Sequence, residues 1–298
     1  MELVVLAGGA SARFGKLKQL EVVDENNNFL IDYSIFDAVK AGFKKIIFVV
    51  QKNAIGAFEN SVAKRLKNKI DFVFAVQEHS EYEKSFPKLK LRTKPLGTGF
   101  ALFSAKKFIS SDFAVINADD FYGRQAFFQV ADFLRDKKCQ NQNVVLGFNA
   151  KKTINNSSGL KRGFCIHNGG YLTEIEECEV WKSNNIFLKK PLSKKNIQTL
   201  CDDDLVSMNL FGFRKNFINC LEQSFYNFLK NANLEQDEFF LPSAVNSLIK
   251  LNRGVVRVLK TDAKWFGLTF KEDLLKVKTE IEILLKNKKY PLNLWNFK

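Results

Sequence analysis

Three short stretches of the chain carry residue types suited to handling phosphates. The first is Leu6-Ala7-Gly8-Gly9-Ala10-Ser11-Ala12-Arg13-Phe14-Gly15-Lys16-Leu17-Lys18-Gln19. Small residues let the backbone approach a ligand closely, and successive N–H groups in such a loop can form a nest for anionic oxygens. Arg13 and Lys18 follow Gly8 at equal spacing and add fixed positive charge. The glycines do not follow Gly-x-Gly-x-x-Gly, and no Gly-Lys-Ser/Thr is present, so neither a dinucleotide fingerprint nor a P-loop is encoded. Any tight strand-to-helix turn would want such glycines; the Arg and Lys are what point to a polyphosphate.

The second stretch is Val115-Ile116-Asn117-Ala118-Asp119-Asp120-Phe121-Tyr122-Gly123, an apolar run ending in two adjacent carboxylates. Unpaired buried charge is costly, so neither Asp is expected in the core. Two uses stand open. One is a hard oxygen ligand for Mg²⁺, which takes one or two carboxylates plus substrate phosphates. The other is an N-cap for a helix starting near Gly123. The basic glycine loop favours the metal. The third stretch, Lys94-Pro95-Leu96-Gly97-Thr98-Gly99-Phe100-Ala101-Leu102, again permits close backbone approach. Gln77, just past an apolar run, carries an amide that both donates and accepts, as reading a nucleobase edge requires; a surface glutamine is the plain alternative.

Composition narrows the chemistry. Only His79 and His167 are present, so a histidine-based triad or metal site has little to draw on. Cys139, Cys165, Cys178, Cys201 and Cys220 are widely spaced without a Cys-x-x-Cys pair, which favours reduced thiols over disulfides or zinc. Lys and Arg total 46 against 32 Asp and Glu, a formal charge of +14. These basic residues are scattered rather than gathered with aromatics on one element, as on a solvated surface that attracts anionic small substrates and not nucleic acid. The 30 Phe are attributed to genome-wide compositional bias rather than to a special aromatic surface. With 46% hydrophobic and 26% charged residues over 298 positions, the chain has ample core material and is not a disordered one. No apolar run reaches the roughly 18–20 residues that span a bilayer. The opening Met1-Glu2-Leu3-Val4-Val5-Leu6 has no basic leader, so a cytoplasmic protein without a membrane partner is expected.

The phosphate-handling stretches need elements that bring them together. Residues 3–7, 45–50, 72–76, 113–118 and 144–148 are short, apolar and bounded by Gly, Asp or Asn, as buried strands are. Between the first two, Ile31, Ile35, Ala38, Val39 and Phe43 repeat at helical spacing over 31–43, and further helices are expected at 54–67, 99–108 and 123–135. This alternation predicts an α/β fold: a Rossmann-like mixed, mostly parallel sheet with helices on both faces. Ligands of open α/β sheets bind at the carboxyl ends of strands, where the glycine loop, Gln77 and Asp119 would all fall. Later strands are expected at 163–167, 171–175, 207–213 and 255–259, and helices at 217–229, 238–249 and 271–285. Long polar connections are expected over 149–162 and 180–204. Without a repeat or a low-complexity linker, residues 1–285 are expected to form one domain with one continuous sheet. Residues 286–298 would be a tail able to dock through Leu294 and Trp295.

At these three stretches the sequence resembles the sugar-phosphate nucleotidyltransferases, the nucleotide-diphospho-sugar pyrophosphorylase type. The matching pieces are Leu6, Ala7, Gly8 and Gly9 with Arg13 and Lys18, then Pro95-Leu96-Gly97-Thr98-Gly99, then Asp119. The likeness is strong over 1–125 and extends through about 275. A bacterial subgroup is marked by Arg13-Phe14-Gly15 with Lys18-Gln19, the Asn117 to Gly123 run, Ser207-Met208-Asn209, and Thr261-Asp262-Ala263-Lys264-Trp265-Phe266-Gly267.

That resemblance implies a nucleotide-diphospho-sugar transferase fold, with an NTP-binding half at 1–148 and an acceptor-binding half at 149–285. It implies that Leu6 to Gly9 and Arg13 hold the triphosphate, that Gln77, Gly97 and Thr98 bind the nucleotide, and that Lys18 neutralises charge near the α-phosphate. Asp119 would ligate Mg²⁺, and Asp262 would be the second ligand. Glu177 would meet the acceptor's hydroxyls, with Asn209 and Lys264 also on the acceptor side. The implied reaction joins an NTP to a sugar 1-phosphate, or a similar phosphorylated polyol, giving an NDP-sugar and pyrophosphate for surface polysaccharide or glycoconjugate synthesis. Gln77 favours a pyrimidine base, and a homo-oligomer is allowed. Two rivals stand beside it: a nucleotide-sugar-dependent glycosyltransferase of related fold, which would share the carboxylate pair on Mg²⁺ without needing the glycine loop, and a nucleotide-binding sensor that keeps the loop without turnover.

Overall fold

The computed structural model describes residues 1–9, 17–154 and 160–295. Its first half alternates strands and helices: β1 (Glu2–Leu6), α1 (Leu30–Lys40), β2 (Lys45–Val50), α2 (Ile55–Phe58), α3 (Lys64–Leu66), β3 (Asp71–Val76), α4 (Thr98–Ser104), β4 (Phe113–Asn117), β5 (Asp120–Phe121), α5 (Arg124–Arg135) and β6 (Gln142–Asn149). The second half opens with strands, β7 (Leu160–Asn168), β8 (Tyr171–Ser183), β9 (Ile186–Pro191), β10 (Gln198–Thr199) and β11 (Leu205–Phe213). It closes with α6 (Phe217–Asn231), α7 (Leu241–Lys250), β12 (Val255–Thr261), β13 (Phe266–Gly267) and α8 (Asp273–Lys286).

One mixed sheet runs through both halves in the order β10-β9-β8-β12-β6-β11-β4-β1-β2-β3, with β7 joined to β11 and β8. The strands β4, β1, β2 and β3 are parallel, and β11 enters antiparallel between β4 and β6. The core strands are covered on both faces, which is why they read as unbroken apolar runs. In β1, Leu3 and Val5 pack into one core while Val4 and Leu6 pack into the other. On the first face lie α1, α5 and α8, contributing residues such as Ile35, Phe127, Val130 and Ile281. On the second lie α4, α6 and α7, through Phe100, Phe103, Phe225 and Val245. The apolar stripe of α5 (Ala126, Phe127, Val130, Ala131, Leu134) has the spacing of a helix with one buried side. All five cysteines are unpaired thiols.

One expectation for the second half needs correction. The segment 180–204 is not a long polar connection. β8 continues to Ser183 and turns through Asn184 and Asn185, with φ of 47° and 63°, into β9 and then β10. A two-residue loop with both central residues left-handed is the turn that suits a twisted hairpin, and Asn tolerates it. Sequence periodicity misses this arm because β9 is only partly buried, without alternation, and β10 is exposed. The helix expected at 54–67 is present over 55–66, with a π-turn at Glu59–Ala63 between α2 and α3.

The tail is tied down. Leu294 and Trp295 are buried, and the Tyr290 hydroxyl donates to Asp37 of α1. Arg124 at the start of α5 donates to the Lys289 carbonyl at 2.9 Å and pairs with Asp37 at 3.1 Å. Among the described residues no helix is long and apolar enough to cross a membrane.

Candidate active site

The carboxyl ends of β1, β3 and β4 converge, and each delivers a side chain or a stretch of bare backbone. Past β1, the Ala7 N–H donates to the Val49 carbonyl (2.8 Å), and Gln51 Nε2 donates to the Gly8 carbonyl (3.0 Å), so the first glycine is held from the β2 side. Past β3, the Gln77 N–H donates to the Val50 carbonyl (2.9 Å), and its side chain lies against Gly8. The turn before α4 is built around Arg92. Its guanidinium donates to the carbonyls of Lys94, Pro95, Leu234 and Asp237 at 2.7–2.8 Å, closing 94–95 onto the segment before α7. Gly97 has φ +102°, and a Cβ there would stand 2.6 Å from the Phe239 carbonyl oxygen, so glycine is required twice over. Thr98 Oγ1 accepts from the Leu241 N–H (3.0 Å).

Past β4, the carboxylate segment is stapled from two sides. β5 pairs antiparallel with β13, setting Phe121 opposite Phe266 and Gly267 opposite Asp120. The rings of Phe121 and Phe266 stack at 4.5 Å, the Leu268 N–H donates to the Asp119 carbonyl (2.9 Å), and Ser34 Oγ donates to the Asp120 carbonyl (3.1 Å). Asp119 faces open space and forms a salt bridge through Oδ2 with Lys18 Nζ, which also donates to the Leu268 carbonyl (3.1 Å). Asp120 is buried, against the sequence expectation that neither acid would be. Its Oδ2 accepts from Asn117 Nδ2 (2.8 Å) and lies 3.3 Å from the Tyr122 hydroxyl, and its Oδ1 occupies the room left by the absent side chain of Gly267. Burial first, and then the neighbouring Asp119 charge, push its carboxyl pKa well above the usual range.

Asn209 reaches the same point from β11. The register of β11 on β6 shifts between Ser207 and Phe211, and Asn209 sits in the left-handed region at φ 61°. Such a bulge re-aims a side chain out of the ladder, and here Asn209 Nδ2 lies 3.4 Å from Asn117 Oδ1.

These groups divide two adjoining cavities. One, about 340 Å³, is lined by Leu6, Gly8, Gly9, Gln77, Gly97 and Glu238 among others. The second, about 330 Å³, is lined by Asp120, Lys161, Arg162, Glu177, Ser207 and Trp265 among others. Lys18, Thr98, Asn117, Asp119 and Asn209 belong to both. Glu177 lies on β8 opposite Gly163 of β7; burial raises its carboxyl pKa, opposed by Lys161 and Arg162.

Of the residues singled out in the sequence, the structure thus brings Leu6, Gly8, Gly9, Lys18, Gln77, Gly97, Thr98, Asp119, Glu177 and Asn209 to one double cavity. Ala7 is buried at the end of β1, beside it. Arg13 lies outside the described residues. Asp262 and Lys264 are not brought there. They line a different cavity of about 450 Å³ between β12 and α8, and the Lys264 ammonium is paired with Glu280 of α8. The cause is register: β13 places Trp265 to Thr269, not Asp262, beside Asp119 and Asp120. The sequence assigns no role to Arg162, names Asn117 and Trp265 only within the subgroup motifs, and leaves Asp120 beside Asp119 as a metal ligand or a cap. Asn117 and Asp120 adjoin Asp119 in the chain, a visible signal; Arg162 lay in a segment taken for a polar connection.

The donor set at the dividing wall is a carboxylate with two side-chain amides, all hard oxygen donors and free of His or Cys. Among the described residues no group of three or more His, Cys, Asp and Glu forms a self-sufficient cage. A cation there would draw its remaining ligands from phosphates and water, which is the habit of Mg²⁺. The residues fit that ion.

A mixed α/β sheet with a glycine loop and a strand-end carboxylate around a double cavity defines a nucleotide-handling enzyme of the nucleotide-diphospho-sugar transferase fold. The family model described as Nucleotidyl transferase matches residues 3–157, and the chain belongs to that family. No curated protein sequence matches the chain. Among solved structures, it is similar to a putative glucose-1-phosphate thymidylyltransferase from Bacillus anthracis in complex with sucrose (TM-score 0.65, 15% identity, 100% of both chains). It is also similar to a UTP-bound UGPase from Acinetobacter baumannii (0.61, 16%, 97% of this chain and 94% of that one). A third is the inositol-1-phosphate CTP transferase from T. maritima (0.59, 14%, 94% and 96%). At these identities the likeness is one of fold.

Proposed function

We propose that the protein catalyses Mg²⁺-dependent transfer of a nucleotidyl group from an NTP to a sugar 1-phosphate or similar phosphorylated polyol, releasing pyrophosphate. The observation that carries this reading is the position of Lys18 and Asp119 on the wall common to both cavities. An NTP in the cavity of Gly8 and Gln77 and an acceptor in the cavity of Glu177 would meet at that wall.

The acceptor's phosphate oxygen attacks the α-phosphorus in line; the bond from that phosphorus to the bridging oxygen of the β-phosphate breaks, and pyrophosphate leaves with its electron pair. A phosphate oxygen is already ionised near neutral pH, so no side chain has to remove a proton. The chain's own contribution is position and charge. Gly8, Gly9 and Gly97 let backbone N–H groups come close to the nucleotide, and Gln77 addresses the base. Lys18 leaves Asp119 for the charge developing between the α- and β-phosphates, an interaction that strengthens in the transition state. A divalent cation held by Asp119, beside Asn117 and Asn209, would supply further charge neutralisation on the triphosphate. Glu177 accepts hydrogen bonds from acceptor hydroxyls, and Thr98 and Asn209 border both substrates.

A pyrimidine nucleotide is the favoured donor, supported by the pyrimidine nucleotides in the names of the similar structures. An NDP-sugar so formed would serve surface polysaccharide or glycoconjugate synthesis, and the cytoplasm, where NTPs are made, would be the place for it. The family match supports this over glycosyl transfer from a nucleotide-sugar, which releases no pyrophosphate. The test is direct: the purified protein is mixed with each of the four common NTPs, Mg²⁺ and a panel of sugar and polyol phosphates, and pyrophosphate is assayed. Release that needs NTP, acceptor and Mg²⁺ together supports the proposal. Failure with every pair, or turnover only with a nucleotide-sugar, overturns it.

A further inference from the structure

Among the described residues, Arg162 is a cation without a carboxylate partner, and it lines the second cavity. It lies near the start of β7, half-buried, with its guanidinium 5.2 Å from the centre of the Trp265 ring. Nε donates to Thr153 Oγ1 (3.3 Å), NH1 to the Lys161 carbonyl (2.9 Å) and NH2 to the Thr153 carbonyl (2.7 Å). All three acceptors are neutral. Among the described residues no Asp or Glu pairs with it, and residues 10–16 and 155–159 contain neither acid.

A guanidinium carries five N–H donors and does not lose its charge in proteins. Among the described residues three of the five are used and two remain. Burial disfavours the charged form, while Asp120, Glu177 and Asp273 act from a distance to hold it. A desolvated cation so placed is costly unless an anion completes it. The three neutral oxygens and the Trp265 ring fix the planar fork in one orientation before any ligand arrives, so little side-chain freedom is lost on binding.

The cavity already has a distribution of labour. Lys18 is engaged with Asp119 and Leu268 at the dividing wall. Glu177, an anionic acceptor, suits hydroxyl groups and not phosphate oxygens. Lys264, the residue that the sequence suggested for the acceptor phosphate, is held by Glu280 in another cavity. That leaves the anionic end of the acceptor without an assigned group, and Arg162 without an assigned anion.

We propose that Arg162 is the binding group for the acceptor's phosphate. Resting on the reading of the site as a nucleotidyltransferase, this also defines the acceptor class: a phosphate monoester with hydroxyl groups, its phosphate on the Arg162 fork and its hydroxyls toward Glu177. Binding there restrains the phosphate whose oxygen must attack, and the preference for planar, two-point recognition makes Lys an imperfect replacement.

The probe is inorganic phosphate, titrated by ³¹P line broadening into wild type, Arg162→Met, Arg162→Gln and Arg162→Lys. Each protein is first saturated with whichever α,β-methylene NTP gives the largest thermal shift, which keeps phosphate out of the nucleotide cavity. Melting curves establish that each variant is folded, and Arg162→Lys and Arg162→Gln stand in if Arg162→Met is not. The expected result is a loss of phosphate affinity of about tenfold or more in Arg162→Met and Arg162→Gln, partly restored in Arg162→Lys, with analogue affinity unchanged. Equal phosphate affinity in wild type and the Met or Gln variant overturns the proposal. So does a parallel loss of phosphate and analogue affinity, which would mark a structural role. Arg162-dependent phosphate binding in a protein that releases no pyrophosphate with any NTP and acceptor would keep the anion site and sink the nucleotidyl-transfer reading instead.

Discussion

Gly8 and Gln77 are packed so closely that a Cβ on Gly8 would stand 2.1 Å from Gln77 Oε1. The glycine is therefore part of the shape of the nucleotide cavity, because the absence of its side chain is what allows the Gln77 amide to lie where it does. The obstructed atom is the far end of a flexible side chain on the surface of a cavity, so the fold can absorb a methyl group there by moving Gln77 aside. Gly8→Ala is expected to melt within a few degrees of wild type and to raise KM for the NTP by about tenfold or more, the scale of one lost hydrogen-bonded base contact with the cavity narrowed. Gln77→Ala removes the obstruction, so adding Gly8→Ala to it should cost much less than Gly8→Ala costs alone. Full additivity of the two substitutions in a KM measurement would show that Gly8 does not act through Gln77.

Lys18 and Asp119 meet in the absence of substrate, and each has to change partner when phosphates arrive. Their side chains are mostly buried, at 19% and 21% exposure, so the cost of desolvating both charges offsets much of their attraction. Lys18→Ala and Asp119→Ala are expected to lose about 10²–10³ in kcat, the usual cost of removing a contact made mainly in the transition state. Melting temperatures should stay close to wild type. Because the two groups touch and serve one polyphosphate, the double variant should fall well short of the product of the single losses. Initial rates of pyrophosphate release read all three, and near-normal turnover in either single variant would contradict the assignment.

Asp262 and Lys264 give the opposite expectation. Both line the cavity between β12 and α8, and Lys264 is paired with Glu280. Asp262→Ala and Lys264→Ala should keep kcat/KM for both substrates within about twofold of wild type, as substitutions away from a working site do. A loss of two orders of magnitude in Asp262→Ala would restore it as a metal ligand and would require β13 to pair in another register.

Much of this site is legible in the sequence because strand ends are. β1, β2 and β4 are buried on both faces and so appear as bare apolar runs; whatever polar residue follows such a run lies at the carboxyl edge of the sheet. Asp119 is found that way past β4, Gln77 past the partly buried apolar run of β3, and Lys18 through the glycine loop before it. The same logic fails where position depends on contacts distant in the chain. β13 is two residues long and exists by pairing with β5, more than 140 positions earlier, and no local pattern fixes which residue of 261–269 will face Asp119. Arg162 was hidden for a related reason. β7 begins at Leu160 and continues into the exposed Lys161, with a polar stretch of sequence before it, so neither alternation nor apolarity announces a strand until Gly163. The buried state of Asp120 is likewise set from outside, by the glycine at 267 that makes room for its carboxylate.

Beyond the double cavity, Asp32 in the first turn of α1 is a buried carboxyl whose cost depends on pH. Its Oδ2 accepts from the Phe29 N–H (2.9 Å) and is paired with Arg65, while among the described residues its buried Oδ1 has no hydrogen-bond partner. Burial pushes its pKa from 3.8 up to about 7; Arg65 opposes that shift, and Asp24 adds to it. In the unfolded chain the carboxyl ionises near its ordinary value, so the folded form binds the extra proton between about pH 4 and pH 7, and stability is lost as pH rises through that window. Below it the carboxyl is protonated in both states and contributes no such penalty. Asp32→Asn cannot ionise. The melting temperature of the variant minus that of wild type should therefore move in favour of the variant by a few degrees from pH 4 to pH 8, whatever its offset at pH 4 from a weakened contact with Arg65. Melting curves collected across that range at fixed ionic strength decide it: two parallel profiles would mean that Asp32 keeps an ordinary carboxylate pKa in the folded protein, with Arg65 fully offsetting its burial.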